Sequence, residues 1–349
     1  MSEGMSVDKV TLALDAEGGD RGPAEIISGA LQVAGPELHV RLVGRPEHIR
    51  PYLPREAPVL DFIGVEAAGS VISFHEEPAW AVRNKPDSSI AVGARLVAHG
   101  AAQGFVSAGS TGAMVAAGLL LVKRIKQVKR PAILVVLPGE GGPVAMLDVG
   151  ANADCRAEYL LDFGLMGSAF AHAALDVAVP RVGLLNIGEE EGKGNELSRV
   201  AHGLLAGAPI HFVGNVEGRD LFAGKADVVV TDGFTGNVAL KLLEGTAGYL
   251  LGRVREAAAV NARSKLGGLL LRPTLRGVKQ ALDPEAYGGS YLLGLRGLLI
   301  ICHGASSSRA IANALTFGAK AVRNGVLTRL EAELGRVMPG VAPGPPLRD

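Results

Sequence analysis

Three polar turns in the sequence combine small residues with groups that bind anions. In SAGSTGA (residues 107–113), EEEGKGN (189–195) and TDGFTGN (231–237), glycine stands beside hydroxyl, amide or ammonium groups. The side chains and backbone groups that we expect at a ligand are those of Ser110, Thr111, Gly112, Lys193, Asn195, Thr235 and Asn237. Glycine lets backbone N–H groups approach a ligand closely, and the start of a following helix attracts negative charge. The turns therefore predict a site for phosphate or a phosphate-bearing ligand.

Four aspartates and one histidine stand where predicted strands end. They are Asp15 and Asp20, which flank Gly18 and Gly19, together with Asp148, Asp232 and His303. Aspartates at such positions often cap the helix that follows, and we expect that role for at least two of the four. The position of His303 fits a structural histidine and a functional one alike.

Metal and common cofactor motifs are absent from the sequence. Two cysteines, Cys155 and Cys302, are too few for a disulfide framework or a four-cysteine zinc site. No strand is followed by G-x-G-x-x-G, and no P-loop or G-x-S-x-G elbow occurs. We therefore expect no metal and no cofactor, and no nucleophilic serine.

The polar turns belong to a unit that recurs along the chain. Each unit has a short β-prone run, a turn of glycine and polar residues, and an Ala/Leu-rich stretch of helical character. Such units begin near Val10, Gly104, Val144, Arg181, Ile210, Val228 and Leu298. The alternation predicts an α/β fold, a mostly parallel sheet covered by helices on both faces. Because ligands bind at the carboxyl ends of such strands, we expect the turns to converge on one cleft.

Composition narrows the class of protein further. The 349 residues can bury a large core, and the formal net charge of zero gives no overall attraction to nucleic acid. The N-terminus lacks the pattern of a signal peptide, and the longest apolar runs are too short to span a bilayer. We expect a cytoplasmic protein that does not bind nucleic acid.

Two segments depart from the repeated unit. Residues 245–285 are helical in character with no strand, which predicts an arm projecting from a single domain over residues 1–337. Leu266, Leu269 and Leu270 form an apolar turn near its expected tip, and Leu271 begins a leucine stripe beside Arg272. A leucine face flanked by cations suits an anionic membrane surface. Packing against a partner subunit or within a helical hairpin is the alternative. Residues 338–349, rich in Pro and Gly, are predicted to be a disordered tail.

A dense basic run lies between two predicted elements. It contains Lys123, Arg124, Lys126, Lys129 and Arg130. Such a run is usually the solvated end of a helix, but it could also receive an acidic partner or lie in a dimer interface. We expect docking of an acidic protein at Lys123, Arg124, Lys126 and Lys129.

Nine strings in register resemble one protein family. They are LDAEGGDRGP, SAGSTGAM, KRPA, MLDVGANADC, NIGEEEGKGN, VGNVEGRD, TDGFTGNVALK, YGG and HGASS. From about Val10 to about Val322 the chain resembles the bacterial phosphate acyltransferases called PlsX. It departs from the family pattern at Glu17, where Met is more usual, at Ser110, where Asn is, and in the residues around His303 and after the YGG string.

The resemblance implies an activity and partners. Members of this family move a long-chain acyl group from acyl carrier protein onto inorganic phosphate, and a membrane glycerol-3-phosphate acyltransferase then uses the acyl-phosphate in phospholipid synthesis. The implied fold is a three-layer α/β body like those of phosphotransacetylases and isopropylmalate dehydrogenases, usually a homodimer. A nicotinamide-dependent dehydrogenase on a related fold, or a non-catalytic acyl-carrier-protein-binding module, remain as alternatives.

The resemblance and the turn chemistry together give a set of expected site residues. We expect catalytic roles for Lys193, Asp232 and His303. The expected substrate-binding residues are Asp15, Gly18, Gly19, Asp20, Ser110, Thr111, Gly112, Asn152, Asn195, Thr235 and Asn237. The arm residues Leu269, Leu270, Leu271 and Arg272 are expected to contact a membrane peripherally.

Overall fold

The computed structural model describes residues 9–281 and 287–337, and the tail predicted at 338–349 lies outside them. One sheet of eleven strands runs through the described chain. The strands are β1 (Val10–Asp15), β2 (Leu38–Gly44), β3 (Ile63–Ala67), β4 (Gly104–Ser107), β5 (Ala132–Leu137), β6 (Val144–Leu147), β7 (Arg181–Leu185), β8 (His211–Val216), β9 (Val228–Val230), β10 (Ser290–Leu293) and β11 (Leu298–Ile301).

Helices cover both faces of this sheet, as predicted. They are α1 (Gly22–Val33), α2 (Pro46–Ile49), α3 (Pro78–Asn84), α4 (Ser89–Ala98), α5 (Thr111–Ala117), α6 (Ala157–Ala174), α7 (Glu196–Ala206), α8 (Gly233–Ala259), α9 (Ala262–Ala281), α10 (Ser308–Arg323) and α11 (Val326–Val337). Along β5, Leu134 and Val136 join the core under α6 and α10, whereas Ile133 and Val135 join the core under α4 and α5. This alternation gives the three-layer α/β architecture.

The direction of the strands changes in the middle of the sheet. The order is β3-β2-β1-β4-β11-β10-β5-β6-β9-β7-β8. Strand β10 runs antiparallel to both of its neighbours, β11 and β5, and β6 runs antiparallel to β5. The other seven pairings are parallel. The carboxyl ends of β1, β4 and β11 therefore lie at one edge of the sheet, and those of β6, β9 and β7 lie at the other.

A buried carboxylate organises the loop after β6. Asp148 accepts hydrogen bonds from the backbone N–H groups of Ile133, Gly150, Ala151 and Asn152 at 2.7 to 3.1 Å, and from the Asn152 amide at 2.8 Å. Burial raises the pKa of Asp148, and these hydrogen bonds oppose that effect. The loop of residues 148–152 is thereby held in one conformation.

Helix α8 begins on this loop, and two glycines allow the close approach. A Cβ atom on Gly233 would clash with the carbonyl oxygen of Asn152. A Cβ atom on Gly236 would clash with the backbone oxygen of Asp148. Gly233 and Gly236 are also the buried residues of this 27-residue helix. The start of α8 is fixed by backbone contact that a side chain would prevent.

The predicted arm is a helical hairpin of α8 and α9. No strand lies between the two helices, as expected. Helix α9 approaches α8 where Gly268 faces the Ala258 methyl group. The turn of the hairpin is at Val260 and Asn261. The expectation that Leu266, Leu269 and Leu270 form the tip is therefore wrong: they lie one to two turns into α9.

The basic run is a loop and not the end of a helix. The preceding π-helical turn (Gly118–Val122) ends before Lys123, and no regular helix includes residues 123–130. Arg124 donates hydrogen bonds to the backbone oxygens of Val128 and Lys129, at 2.6 Å each. Lys129 pairs with the buried Asp162 at 3.2 Å. Two of the four predicted docking residues thus hold the loop in shape.

Two types of helical glycine generate a stability prediction. Gly236→Ala should destabilise the protein by about 1–3 kcal/mol, because the added methyl group forces α8 away from Asp148. Gly203→Ala, in α7 with open space around it, should stabilise the protein by about 0.4–1 kcal/mol. Urea unfolding of both variants measures the difference. Equal effects would contradict the close packing at Gly236.

Candidate active site

Two cavities separate the predicted site residues. The central cavity, of about 460 Å³, is lined by Thr111, Asn237 and His303. The outer cavity, of about 450 Å³, is lined by Asn195, Asp232 and Thr235. The expectation that the turns share one cleft is therefore wrong for this chain, because the antiparallel pairings of β10 and β6 place strand ends at both edges. Helix α8 joins the two cavities, since Thr235 and Asn237 project from opposite sides of its first turns.

The loops after β1 and β4 lock together through Asp15. The Ser107 hydroxyl donates to Asp15 Oδ2 at 2.7 Å, and Gly109 N–H donates to the Ser107 oxygen at 3.0 Å. A Cβ atom on Gly18 would lie 2.7 Å from Asp15 Oδ2. Burial raises the pKa of Asp15, and the hydrogen bond from Ser107 opposes that shift. Asp15 and Gly18 thus shape the loops beside the central cavity.

The loop after β11 joins the same cluster. Asp20 N–H donates to the Gly304 oxygen at 2.7 Å, and the Asp20 carboxylate packs where a Gly304 side chain would lie. Gly19, at φ 89°, also approaches the Gly304 oxygen and has a conformation that favours glycine. Gly19 and Asp20 therefore connect the first loop of the chain to the loop that carries His303.

Glu17 anchors this cluster from outside and was not predicted as a site residue. Its carboxylate accepts hydrogen bonds from Arg45 N–H at 3.0 Å and Arg45 Nε at 2.8 Å, and contacts His48 Nδ1 at 2.7 Å. The pKa of Glu17 is lowered: its burial alone would raise it, but the hydrogen bonds from Arg45 and His48 outweigh that effect. Its position between Asp15 and Gly18 was the available signal.

The turn after β4 presents one side chain to the central cavity. Ser110 is the N-cap of α5, and its oxygen accepts from Ala113 N–H at 3.4 Å. Gly112 lies where a Cβ atom would be 2.7 Å from Pro78. Ser110 and Gly112 thus have packing and capping functions, and Thr111 is the residue that lines the cavity.

His303 has one ring nitrogen occupied. Its Nδ1 accepts a hydrogen bond from Ala305 N–H at 3.1 Å, so the proton of the neutral imidazole is on Nε2. The ring is exposed and lines the central cavity. A neutral His303 can therefore donate a hydrogen bond through Nε2.

Capping accounts for much of the chemistry at the outer cavity. Asp232 is the N-cap of α8, and its carboxylate accepts from both the N–H and the hydroxyl group of Thr235, each at 2.8 Å. Asn195 caps α7 by accepting from Ser198 N–H at 2.9 Å. The Asn152 amide donates to Pro131 and Asp148. The expected aspartate cap is confirmed at Asp232. The expectation of at least two caps among the four aspartates is wrong, because Asp15, Asp20 and Asp148 are not the N-cap of any helix that the structure describes.

Lys193 differs from these residues because its ammonium group is available. The side chain is exposed beside the outer cavity, and within residues 9–281 and 287–337 it forms no ion pair or hydrogen bond. Its backbone oxygen accepts from the Asn186 amide at 3.0 Å, which fixes the loop. A cation that the protein leaves unpaired can bind an external anion.

Cys155 is a poor nucleophile. Burial raises the pKa of its thiol to about 11, and the thiol lies 3.5 Å from the Asn152 oxygen. The thiol is therefore protonated at neutral pH, which disfavours a covalent intermediate on this residue.

Comparison with known proteins agrees with the fold. A phosphotransacetylase from Streptococcus pyogenes has a similar structure, with a TM-score of 0.59, 17% identity, and coverage of 90% of this chain and 95% of that chain. The fold is a three-layer α/β fold that this chain shares with that phosphotransacetylase. In sequence, the model of the fatty acid synthesis protein family matches residues 10–329.

Closer relatives narrow the family. The phosphate acyltransferase of Heliobacterium modesticaldum is 48% identical over 94% of this chain and 99% of its own length, and that of Desulfitobacterium hafniense strain DCB-2 is 47% identical over 93% and 98%. The chain belongs to this phosphate acyltransferase family, and it is an enzyme that transfers an acyl group to phosphate. Among the helices that the structure describes, none has the length and apolar character needed to cross a membrane.

The cap at Asp232 generates a prediction about catalysis. Asn is also a good N-cap, so Asp232→Asn should keep the fold while removing the charge at the outer cavity. We expect unchanged thermal unfolding and lower turnover. A variant with lower Tm whose folded fraction retains full activity would assign Asp232 to capping alone, at a cost of about 0.5–2 kcal/mol.

Proposed function

We propose that this enzyme takes a long-chain acyl group from the phosphopantetheine thioester of acyl carrier protein and transfers it to inorganic phosphate. The observation that carries the proposal is the central cavity, whose lining combines the polar residues Thr111, Asn237 and His303 with apolar residues such as Val136 and Ile301. Such a mixed lining suits a reacting carbonyl and the apolar chain attached to it. The product is acyl-phosphate for phospholipid synthesis, which a membrane glycerol-3-phosphate acyltransferase then consumes.

The reaction requires direct displacement at the thioester carbonyl. A phosphate oxygen attacks the carbonyl carbon, the new C–O bond forms, and the C–S bond breaks. The thiolate leaves and takes up the proton that hydrogen phosphate loses as it becomes acyl-phosphate. His303, with its proton on Nε2, is our candidate donor to the carbonyl oxygen or the leaving sulfur. The locked loops around Asp15 keep these groups in position, which favours attack by proximity.

One assay separates this proposal from its alternatives. The purified chain is mixed with acyl carrier thioester and increasing phosphate, and release of the carrier thiol is followed. Phosphate-dependent release is the expected result. A change in nicotinamide absorbance with a hydroxy acid would indicate a dehydrogenase, and binding of the carrier without turnover would indicate a non-catalytic module.

Lys193 is our first candidate for phosphate binding, with Asn195 beside it. Lys193→Ala should raise the KM for phosphate by about tenfold or more, because a hydrogen bond to a charged group contributes about 1.5–3 kcal/mol. Binding of the carrier protein should change little. Steady-state rates at varied phosphate test this, and an unchanged phosphate dependence would remove Lys193 from the site.

The basic loop is our candidate docking surface for acyl carrier protein, which is acidic. Lys123 and Lys126 are exposed, whereas Arg124 and Lys129 are bound within the chain. Replacing Lys123 and Lys126 with Glu should raise the KM for acyl carrier protein and weaken its dependence on salt. If the same substitutions split a dimer in light scattering, the loop belongs to a subunit interface instead.

We infer a homodimer from the exposed face of α8. Phe234, Val238, Leu242, Tyr249 and Leu250 recur at helical spacing and are 53–68% exposed in the single chain. An apolar stripe of this length is typical of a helix that packs against another helix. A single-chain mass in light scattering would contradict this inference.

The arm is our candidate for peripheral contact of this cytoplasmic enzyme with an anionic membrane. Leu269, Leu270 and Leu271 are 56–72% exposed, and Arg272 follows them. Leu269→Glu with Leu270→Glu should reduce pelleting with anionic vesicles at low salt, because charged residues leave the acyl boundary. Val65→Glu with Val179→Glu, at exposed sites outside the arm, is the matched control. Wild-type protein that fails to pellet would leave the arm to subunit contact.

A further inference from the structure

The central cavity contains a cation that the turn chemistry does not predict. Lys241 and Glu244 line it together with Thr111 and Asn237. Lys241 lies one turn after Asn237 in α8, so both side chains project from the same face of the helix. The sequence places Lys241 inside an Ala/Leu-rich helix, where a lysine resembles an ordinary surface residue.

The ammonium group of Lys241 has no partner in the part of the chain that the structure describes. Three lysines outside the cavity are paired: Lys85 with Glu76 at 2.7 Å, Lys225 with Glu189 at 2.9 Å, and Lys320 with Asp176 at 2.7 Å. Glu244 is only three residues from Lys241, yet the two do not form an ion pair within 4.0 Å. An unpaired charge at the wall of a partly enclosed cavity favours a ligand of opposite charge.

The other groups around the cavity complement an oxyanion. The Asn237 amide donates one N–H to the Val149 oxygen at 3.2 Å, which leaves its second N–H for a ligand. Thr111 contributes a hydroxyl group. Glu244 has the opposite effect, since its carboxylate repels an anion in the same space.

We infer that Lys241 binds the phosphate that attacks the thioester, in the central cavity beside Thr111 and Asn237. This inference rests on the proposed function. Because Lys193 lies beside the outer cavity, Lys241 is an alternative to Lys193 for the attacking phosphate and not a second ligand of it. The lysine ammonium acts as a point charge on the phosphate oxygens and holds them near the carbonyl that His303 faces. Glu244 moderates the affinity, so that the charge of the cavity depends on both side chains.

Two substitutions of opposite charge test the inference. Initial rates of carrier release are measured at varied phosphate and saturating acyl donor. Lys241→Gln should raise the KM for phosphate about tenfold or more. Glu244→Gln should lower it severalfold, because the repulsion is lost, and Lys241→Arg should recover much of the wild-type value. Lys320→Gln, a surface lysine on α10, is the control and should leave the phosphate dependence unchanged.

The opposite signs distinguish charge from structure. An unchanged KM for phosphate in folded Lys241→Gln, or a loss of kcat alone, would overturn the inference. If Lys241→Gln does not fold, Glu244→Gln decides: a KM that stays the same or rises also overturns it. Failure of the proposed function gives a different result, since wild-type enzyme would then show no phosphate-dependent release.

Discussion

The carboxylate of Asp148 is the constraint on which both cavities depend. Five hydrogen bonds converge on it in a buried position, where an unpaired charge would be costly. They fix the loop on which α8 begins, and Gly233 and Gly236 let the helix sit against that loop. The start of α8 presents Asp232 and Thr235 on one side and Asn237 and Lys241 on the other. The geometry of both cavities therefore depends on the contact between α8 and the loop of residues 148–152.

A second cluster holds the opposite wall of the central cavity. Asp15, Ser107 and Gly109 connect the loops after β1 and β4, while Asp20 and Gly304 connect the first of these to the loop of His303. Gly18, Gly19 and Gly304 permit the close contacts between these loops, because a Cβ atom at any of them would clash with a neighbouring loop residue. The site is therefore preorganised, as expected for an enzyme that relies on positioning a reactant and stabilising charge.

Local features were predictable from the sequence, whereas the reversal of strand direction was not. The strand–turn–helix units and the cap at Asp232 follow from short-range patterns of residues. The antiparallel course of β10 and β6 depends on pairing between strands that are far apart in the sequence. The prediction that the polar turns converge on one cleft was therefore wrong. Lys241 was missed for a related reason: its importance comes from lining the same cavity as Thr111, which is 130 positions away in the chain. The resemblance in nine strings identified the family, because it samples the whole chain.

Identification of the phosphorus-containing product tests the account most directly. Wild-type enzyme, a long-chain acyl carrier thioester and inorganic phosphate are followed together by ³¹P NMR and by thiol release. The account predicts a new acyl-phosphate resonance that grows in proportion to the released carrier thiol while free phosphate declines. Thiol release without a new resonance, and with free phosphate unchanged, would mean hydrolysis of the thioester and would contradict acyl transfer to phosphate.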